Sequence, residues 1–420
     1  MSSNVSPDRG SGHGLGRDPD ESQPLPTKNH SPRFWGIFAL LCILAFICAL
    51  DVIIISTALP TITAVIGGAS QYIWIANSFV VASAVVQPLI GQLADIFGRQ
   101  NPLVVSTALF VLGSGVAGGA TSPTMLIVGR TVQGIGAGGL YVLLDIVCCD
   151  LVPLRERGKY VGLMNSFAGV AAALGPPSGT FYLPYAIGTL FFAVMGGILL
   201  AKLGSYRILH IVAFALSSLG VGLFPLLNSD TPKVAWIFFE LISSAGLGIT
   251  VSTMLPAIMS ALAESDVASS TAAYSFIKTF GYVWGVTIAS VISNAAVNAN
   301  LDLVSDSAVR DRLRDGRAYA FASEVHGLRE AGTYSTELWS EVVQVYTRSL
   351  QTIWWAGLGF SLLGLVLVFG ERSHELRSEL VTEYGLEERE KEKDKRITTT
   401  PIEDGTPLPT NKAREQPLAA

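Results

Sequence analysis

The chain has 420 residues, of which 50% are hydrophobic and only 15% charged, and its formal net charge is −5. This composition excludes a soluble globular domain, because apolar runs of about 18 residues or more recur between Phe34 and Gly370, each long enough to cross a hydrocarbon core about 30 Å thick. Most charges fall in the tails and one loop, which argues against a nucleic-acid partner. The sequence therefore predicts an all-α polytopic membrane protein.

Ten transmembrane spans are predicted. The predicted segments are a disordered tail at 1–33, five spans within 34–180, four spans within 181–298, an extracellular loop at 299–348, a last span at 349–370 and a disordered tail at 371–420. The clearest span limits are 34–59, 72–94, 125–149, 209–227, 234–262 and 272–298.

Spans 5 and 6 share one uncharged stretch. About 42 residues separate Lys159 from Lys202, or roughly 63 Å at helical rise, which is twice what one crossing needs. The only break is the run Gly175-Pro176-Pro177-Ser178-Gly179, whose prolines cannot continue a helix interior. The two spans are therefore predicted to meet in a tight turn.

Basic residues in the short loops set the orientation. They lie on the side shared by both tails, which the positive-inside rule assigns to the cytoplasm. These residues are Arg99, Arg155, Arg157, Lys159, Lys202 and Arg207. The mixed charges of the loop at 301–346 predict a solvated, partly helical cap on the opposite side.

A polar hairpin at 91–101 lies between spans 2 and 3, where charged residues are expensive unless they have a role. A shift of 106 residues superimposes this hairpin on a second one. The matched positions are Gly91 with Gly197, Leu93 with Leu199, and Gly98 with Gly204. A parallel repeat of helix bundles is typical of secondary transporters, whose substrate path runs between the halves.

Asp51 and Arg130 are predicted to lie at similar depths in the membrane. Asp51 is about 12 Å, and Arg130 about 8 Å, from the outer end of its span. An unpaired charge there costs on the order of 3 kcal/mol, so pairing or exposure to a water-filled cavity is expected. One interpretation is a proton-linked site that substrate or protonation opens, and the other is a static pair that holds two helices together.

Span 4 has one face that is predicted to line a central cavity, with Asp145 about 60° away. The residues of this face are Arg130, Gly134, Ala137 and Tyr141. Close helix packing through Gly134 and Gly138 is the alternative, and both roles are compatible.

Glu240 and Lys278 lie at depths that differ by roughly 10 Å, which argues against a pair. Lys278 is predicted to extend toward the cytoplasm, and Glu240 to contact a cationic or hydroxylated substrate.

Four motifs resemble the major facilitator superfamily. The residues Gly91, Asp95, Gly98 and Arg99 match its signature between helices 2 and 3, and Leu126 to Gly138, with Arg130 and Gln133, matches its fourth-helix motif. The stretch from Leu50 to Ile62 resembles the first-helix motif of the fourteen-span drug:proton antiporters found in fungi. The run from Gly162 to Gly179, with Gly175 and Pro176, resembles their antiporter signature, except at Ala171 and Thr180.

The resemblance implies proton-coupled efflux of drugs, toxins or secondary metabolites. The plasma membrane is the expected location, with both tails in the cytoplasm as the basic loop residues indicate. The resemblance places Arg130, Gln133, Tyr141 and Asp145 on the proton or substrate path with Asp51 and Glu240. It also makes Gly91, Asp95, Gly98 and Arg99 a conformational latch, whose repeat copy carries Ala201 and Ser205 instead of the charged pair. Compared with fourteen-span relatives, about four central helices are expected to be missing near 179–181.

The sequence predicts no enzyme, metal site or cofactor, since it has no nucleotide-binding loop, metal-ligand cluster or nucleophile–base arrangement. An ion gradient, expected to be a proton gradient, must then supply the energy. The expected partners are a small-molecule substrate and the lipid bilayer. Two alternatives stay open: a siderophore or nutrient carrier of the same superfamily, and a truncated membrane protein that does not transport.

Overall fold

The computed structural model describes residues 31–377, apart from 67–71, 175–178, 229–230 and parts of 319–333. Its α-helices are α1 Pro32–Ile66, α2 Tyr72–Phe97, α3 Gln100–Gly118, α4 Pro123–Leu151, α5 Leu154–Leu174, α6 Gly179–Leu203, α7 Tyr206–Leu223, α8 Lys233–Ser260, α9 Val267–Ala299, α10 Ser307–Leu313 and α11 Thr336–Phe369. Short 3₁₀ turns occupy Phe224–Leu226, Glu264–Asp266 and Leu301–Leu303.

Nine helices in the described part of the chain are long and apolar enough to cross a membrane. These are α1 to α4, α6 to α9 and α11. Helix α5 corresponds to span 5, the one predicted span that is not among these nine. It has 21 residues but begins with a charged stretch, Arg155, Glu156, Arg157 and Lys159. The all-α polytopic fold is confirmed, and α5 is the most polar of the long helices in the described part of the chain.

On the side of the 299–348 loop, the last helix begins earlier than the predicted last span. Helix α11 begins at Thr336, where the Ser335 side chain accepts a hydrogen bond from the Leu338 backbone, and not near 349. The reason is an apolar core that includes Leu338, Val342 and Val345 of this helix together with Val297 at the end of α9. The early turns of α11 are therefore part of a packed cap.

Both ranges predicted to be disordered tails include residues that the structure describes as ordered. Helix α1 already begins at Pro32. After α11, residues 371–377 have no regular secondary structure, and Leu376 is only 8% exposed within the largest apolar core. The prediction of a disordered tail from 371 is thus wrong for these residues, because burial of Leu376 and backbone hydrogen bonds order them.

The internal repeat is visible in the backbone. Gly98 has φ +75° and Gly204 has φ +66°, so the same left-handed turn ends α2 and α6. A Cβ on Gly98 would meet nothing within 4 Å, so this glycine serves the turn and not a close approach of two helices. The two halves of the molecule are α1–α5 and α6–α9 with α11.

The halves contact each other through two equivalent crossings. A Cβ on Gly91 of α2 would lie 2.6 Å from the Cβ of Ala272 in α9, and a Cβ on Gly197 of α6 would lie 2.5 Å from the carbonyl carbon of Gly158 in α5. Each crossing needs a glycine at the same place in the repeat. Both lie toward the end of the bundle that carries the α2–α3 turn, which we call the hairpin end.

Candidate transport site

Asp51 of α1 and two side chains near the start of α4 form one hydrogen-bonded cluster. Arg130 Nη1 donates to Asp51 Oδ2 at 2.7 Å and to Gln133 Oε1 at 2.7 Å. Gln133 Nε2 donates to the second oxygen of Asp51 at 2.8 Å and to the Ser114 hydroxyl at 2.6 Å. The predicted pairing of Asp51 with Arg130 is confirmed, and Gln133 binds both partners.

The cluster is unevenly exposed. The Arg130 side chain is 3% exposed and its guanidinium carbon lies 4.2 Å from the centre of the Phe79 ring, whereas Asp51 is 22% exposed. The Arg130 Nε is buried without a hydrogen-bond partner among the described residues. Because a buried guanidinium depends on its counter-ion, loss of charge on Asp51 would leave Arg130 supported only by the Gln133 carbonyl and the Phe79 ring.

The predicted cavity-lining face of α4 is mostly a packing face. A Cβ on Gly134 would collide with the Phe79 backbone of α2, and Ala137 is completely buried against Leu140 and Phe110. Tyr141 packs beside the same cluster. Neighbouring helices cover this face, because glycine and alanine let α2 approach α4 closely. At these positions the structure shows close helix packing, the alternative to a cavity-lining role.

Asp145 lines a cavity of about 150 Å³ between the two halves. Helices α4 and α5 contribute from the first half, and α6, α8 and α9 from the second. The lining residues are Asp145, Val161, Asn165, Ser166, Thr189, Leu190, Ala193, Val251, Tyr274, Lys278 and Tyr282. Its walls are mostly apolar with a few hydroxyl, amide and charged groups, as in small-molecule sites, but its volume is below the roughly 300–1,000 Å³ of such sites.

Lys278 faces this cavity, so the prediction that it extends to the cytoplasm is wrong. Helix α9 begins at Val267, earlier than predicted, which places Lys278 about 17 Å into the helix, too deep to reach its end. The Lys278 ammonium lies 5.1 Å from the centre of the Tyr274 ring. Within the described residues it makes no ion pair, and the Asp145 carboxylate is the opposite charge in the same cavity.

Glu240 lies apart from this cavity, although it was predicted to contact substrate. It is buried on α8, and its Oε2 has no hydrogen-bond partner in the described part of the chain. It is not among the cavity-lining residues. Of the motif resembling the antiporter signature, Gly175 and Pro176 lie outside the described residues, and Gly179 is the first residue of α6.

Arg99 joins the α2–α3 turn to α4. Its Nε donates to Asp150 Oδ2 at 3.0 Å, and its Nη1 donates to Asp95 Oδ1 at 3.1 Å and to the Ala94 carbonyl at 2.7 Å. Asp150 is 7% exposed and Asp95 is 37% exposed, so the interhelical contact is the more desolvated one. Asp150 is not among the predicted site residues. Its position at the end of an apolar span is the signal that could have indicated it.

Arg157 forms a second charged link at the hairpin end. Its side chain is completely buried, its Nε donates to the carbonyls of Cys149 and Val152 at the end of α4, and its Nη2 donates to Glu264 at 2.9 Å. Glu264 precedes α9, so this pair connects the two halves. The sequence shows Arg157 only as one of several basic residues in a loop, and its partner is 107 positions away.

Two helical halves related by a repeat, with a mainly apolar cavity between them that holds two opposite charges, and with ion pairs at the hairpin end, are the features of a secondary active transporter. The family model of the Major Facilitator Superfamily matches residues 41–184. The chain is 32% identical to the MFS efflux transporter aclA of Aspergillus oryzae, over 88% of this chain and 95% of that protein. The chain belongs to the major facilitator superfamily.

Other relatives and solved structures agree. The MFS-type efflux pump LUC4 of Fusarium sp is 30% identical over 90% of this chain and 94% of its own length, and the efflux pump FUS6 of Gibberella fujikuroi is 31% identical over 89% and 94%. The proton:xylose symporter XylE shares the fold, with a TM-score of 0.52 and 11% identity over 80% of this chain and 95% of its own. Small-molecule substrates and a membrane environment follow from the family.

Proposed function

We propose that this protein exports small organic molecules in exchange for protons that move inward. The observation that carries this proposal is the cavity between the halves, where Asp145 and Lys278 supply opposite charges among apolar and hydroxylated side chains. The names of the relatives aclA, LUC4 and FUS6 as efflux transporters or pumps support the direction of transport. Drugs, toxins and secondary metabolites are the proposed substrates.

The hairpin end is the proposed cytoplasmic end, with both termini on that side and the plasma membrane as the location. The side carrying Arg99, Arg155 and Arg157 fits this orientation by the positive-inside rule. The glycine crossings and the Arg99–Asp150 and Arg157–Glu264 pairs lie between the cavity and this end. The conformation described is thus closed toward the cytoplasm, and export requires these contacts to separate and reform.

The Asp51–Arg130–Gln133 cluster is the proposed proton-linked site. Protonation of Asp51 would remove the negative partner of a guanidinium that is almost fully buried. Arg130 would then favour a conformation in which its charge is better solvated or paired, since an uncompensated charge in a membrane is costly. Proton binding thereby biases the same helix, α4, that carries Asp145 in the cavity.

The test is flux in liposomes that contain the purified protein. A pH-sensitive dye in the lumen reports proton movement when each compound of a panel of amphipathic organic acids, amines and neutral polyols is added under an imposed pH gradient. At least one compound should drive proton flux, and Asp51→Asn should abolish that coupling. Proton-driven flux that persists in Asp51→Asn at the full rate would refute the role of this residue.

A second candidate is a membrane protein that does not transport. The alignment with aclA runs over 529 positions, 109 more than the 420 residues of this chain, so the relative has segments without a counterpart here. We propose that these segments include the roughly four central helices expected to be missing near 179–181. The liposome experiment separates the candidates: a monodisperse, stably folded protein that moves no compound of the panel would favour this second one.

A further inference from the structure

The residues after α11 run across the hairpin end of the bundle without regular secondary structure. We call Glu371–Arg377 the C-terminal strap. It begins at the end of α11 in the second half and ends beside the start of α5 in the first half. It therefore crosses the boundary that must open if the cavity is to reach the proposed cytoplasmic side.

Helix α7 holds the beginning of the strap. The Tyr206 hydroxyl donates to the Arg372 carbonyl at 2.8 Å and accepts from the His374 backbone N–H at 2.9 Å. His210 Nδ1 lies 2.9 Å from the Glu371 carboxylate. Tyr206 and His210 are both nearly fully buried, so packing fixes the side chains that hold the strap.

The last residue of the strap contacts both halves. Arg377 Nη2 donates to the Leu262 carbonyl at 2.6 Å and to the Met259 carbonyl at 3.3 Å, at the end of α8. The Arg377 carbonyl accepts from the Arg155 backbone N–H of α5 at 3.1 Å. Arg155 in turn donates from Nε to the Ala201 carbonyl of α6 at 2.6 Å.

Glu264 joins the strap to the charged link between the halves. Its Oε2 pairs with Arg157 at 2.9 Å, and its Oε1 lies 3.8 Å from Arg377. Leu376, next to Arg377, packs in the apolar core that also contains Phe34 and Tyr160 of the first half. Separation of α5 from α8 at this end would break the strap's contacts with Arg155 and with this core.

We propose that the C-terminal strap closes the cytoplasmic entrance of the cavity and must leave α5 before the cavity opens to that side. This inference rests on the proposed alternating mechanism, but it concerns the opening equilibrium and requires no substrate. Loss of the strap should shift the protein toward cytoplasm-open states and expose the cavity lining.

The experiment measures the access of water to the cavity from the cytoplasmic side. A reporter cysteine replaces Asn165, which lines the cavity, in a background where Cys42, Cys48, Cys148 and Cys149 are replaced by alanine. Inside-out vesicles are treated with a membrane-impermeant maleimide. The labelling rate is compared between a variant that ends at Gly370 and one that ends at Arg377, which keeps the strap and serves as the matched control.

The variant that ends at Gly370 should be labelled at least fivefold faster than the variant that ends at Arg377, which should match the full chain. Tyr206→Phe, which removes both hydroxyl contacts with the strap, should give a smaller increase. Tyr346→Phe is its control, because it makes the same chemical change where the hydroxyl donates to the Ala318 carbonyl in the opposite cap. Should the shorter chain fail to fold, Tyr206→Phe and Arg377→Ala decide the question.

Equal labelling rates in the two truncated variants, or in Tyr206→Phe and the full chain, would overturn the strap as a closing device. Because labelling needs no substrate, a faster rate in a protein that moves no compound in liposomes supports the strap and counts only against the proposed export. The two proposals can thus fail separately.

Discussion

Arg99, in the turn after α2, donates from Nε to Asp150 at the end of α4 at 3.0 Å, across 51 positions of sequence. Asp95, one helical turn before Arg99, shares the same guanidinium but is much more exposed. The hairpin is thus joined to α4 by an ion pair between helices, beside a more exposed pair within one helical turn.

Replacement of Asp150 by Asn should reduce stability more than replacement of Asp95 by Asn. Breaking a buried pair costs about 3 kcal/mol, whereas an exposed pair four residues apart contributes about 0.5 kcal/mol. Thermal unfolding in detergent measures the difference. Equal shifts of the unfolding temperature in the two variants would show that the exposed pair contributes as much as the buried one.

Asp95→Ala is expected to slow flux while substrate binding persists.

The Asp51 cluster should tolerate no change of shape at Arg130. In Arg130→Lys, one ammonium replaces the planar fork and cannot reproduce both the Asp51 contact and the packing on Phe79. Proton-coupled flux should fall at least tenfold. Gln133→Glu is a useful companion, since it adds a second carboxylate beside Asp51 and should weaken coupling through repulsion. Unchanged flux in Arg130→Lys would make the pair a static helix contact.

Removing the charges of both Asp145 and Lys278 should restore the stability that each single change loses, but it should not restore transport. Each single variant, Asp145→Asn or Lys278→Met, leaves one charge without its counterpart in a closed cavity. The double variant should recover most of the lost thermal stability, which a double-mutant cycle measures as a coupling of about 1 kcal/mol or more. Substrate-driven flux should stay low in all three. Additive losses of stability would mean that the two charges do not interact.

The α5–α6 crossing should be intolerant of side chains. Gly197→Leu forces a large side chain into the backbones of Gly158 and Lys159, and should destabilise the protein by about 1–3 kcal/mol. Gly359→Leu on α11 is the matched control, because a Cβ there meets nothing within 4 Å. A similar loss in both variants would indicate a general effect of the substitution and not a close crossing.

Hydropathy and depth were enough to predict the helices and the Asp51–Arg130 pair, because a bilayer fixes helix length and makes unpaired charges costly. The predicted depth of Lys278 was wrong, because α9 begins earlier than predicted and Lys278 therefore lies farther inside the helix. The partners of Arg99 and Arg157 could not be predicted, because Asp150 and Glu264 become neighbours only through packing. Residues 371–377 have no periodic pattern, so their order comes entirely from tertiary contacts.

One helix, α4, carries a charged group at three heights. Arg130 and Asp145 are separated by about 22 Å along the axis, and Asp150 lies about 8 Å beyond Asp145. Because glycine contacts hold α4 tightly between α2 and α3, the helix is a stiff rod that can tilt more easily than it can bend. On the proposed mechanism, protonation of Asp51 that releases the Arg130 end of α4 would therefore displace the cavity wall and strain the Arg99 pair in the same movement.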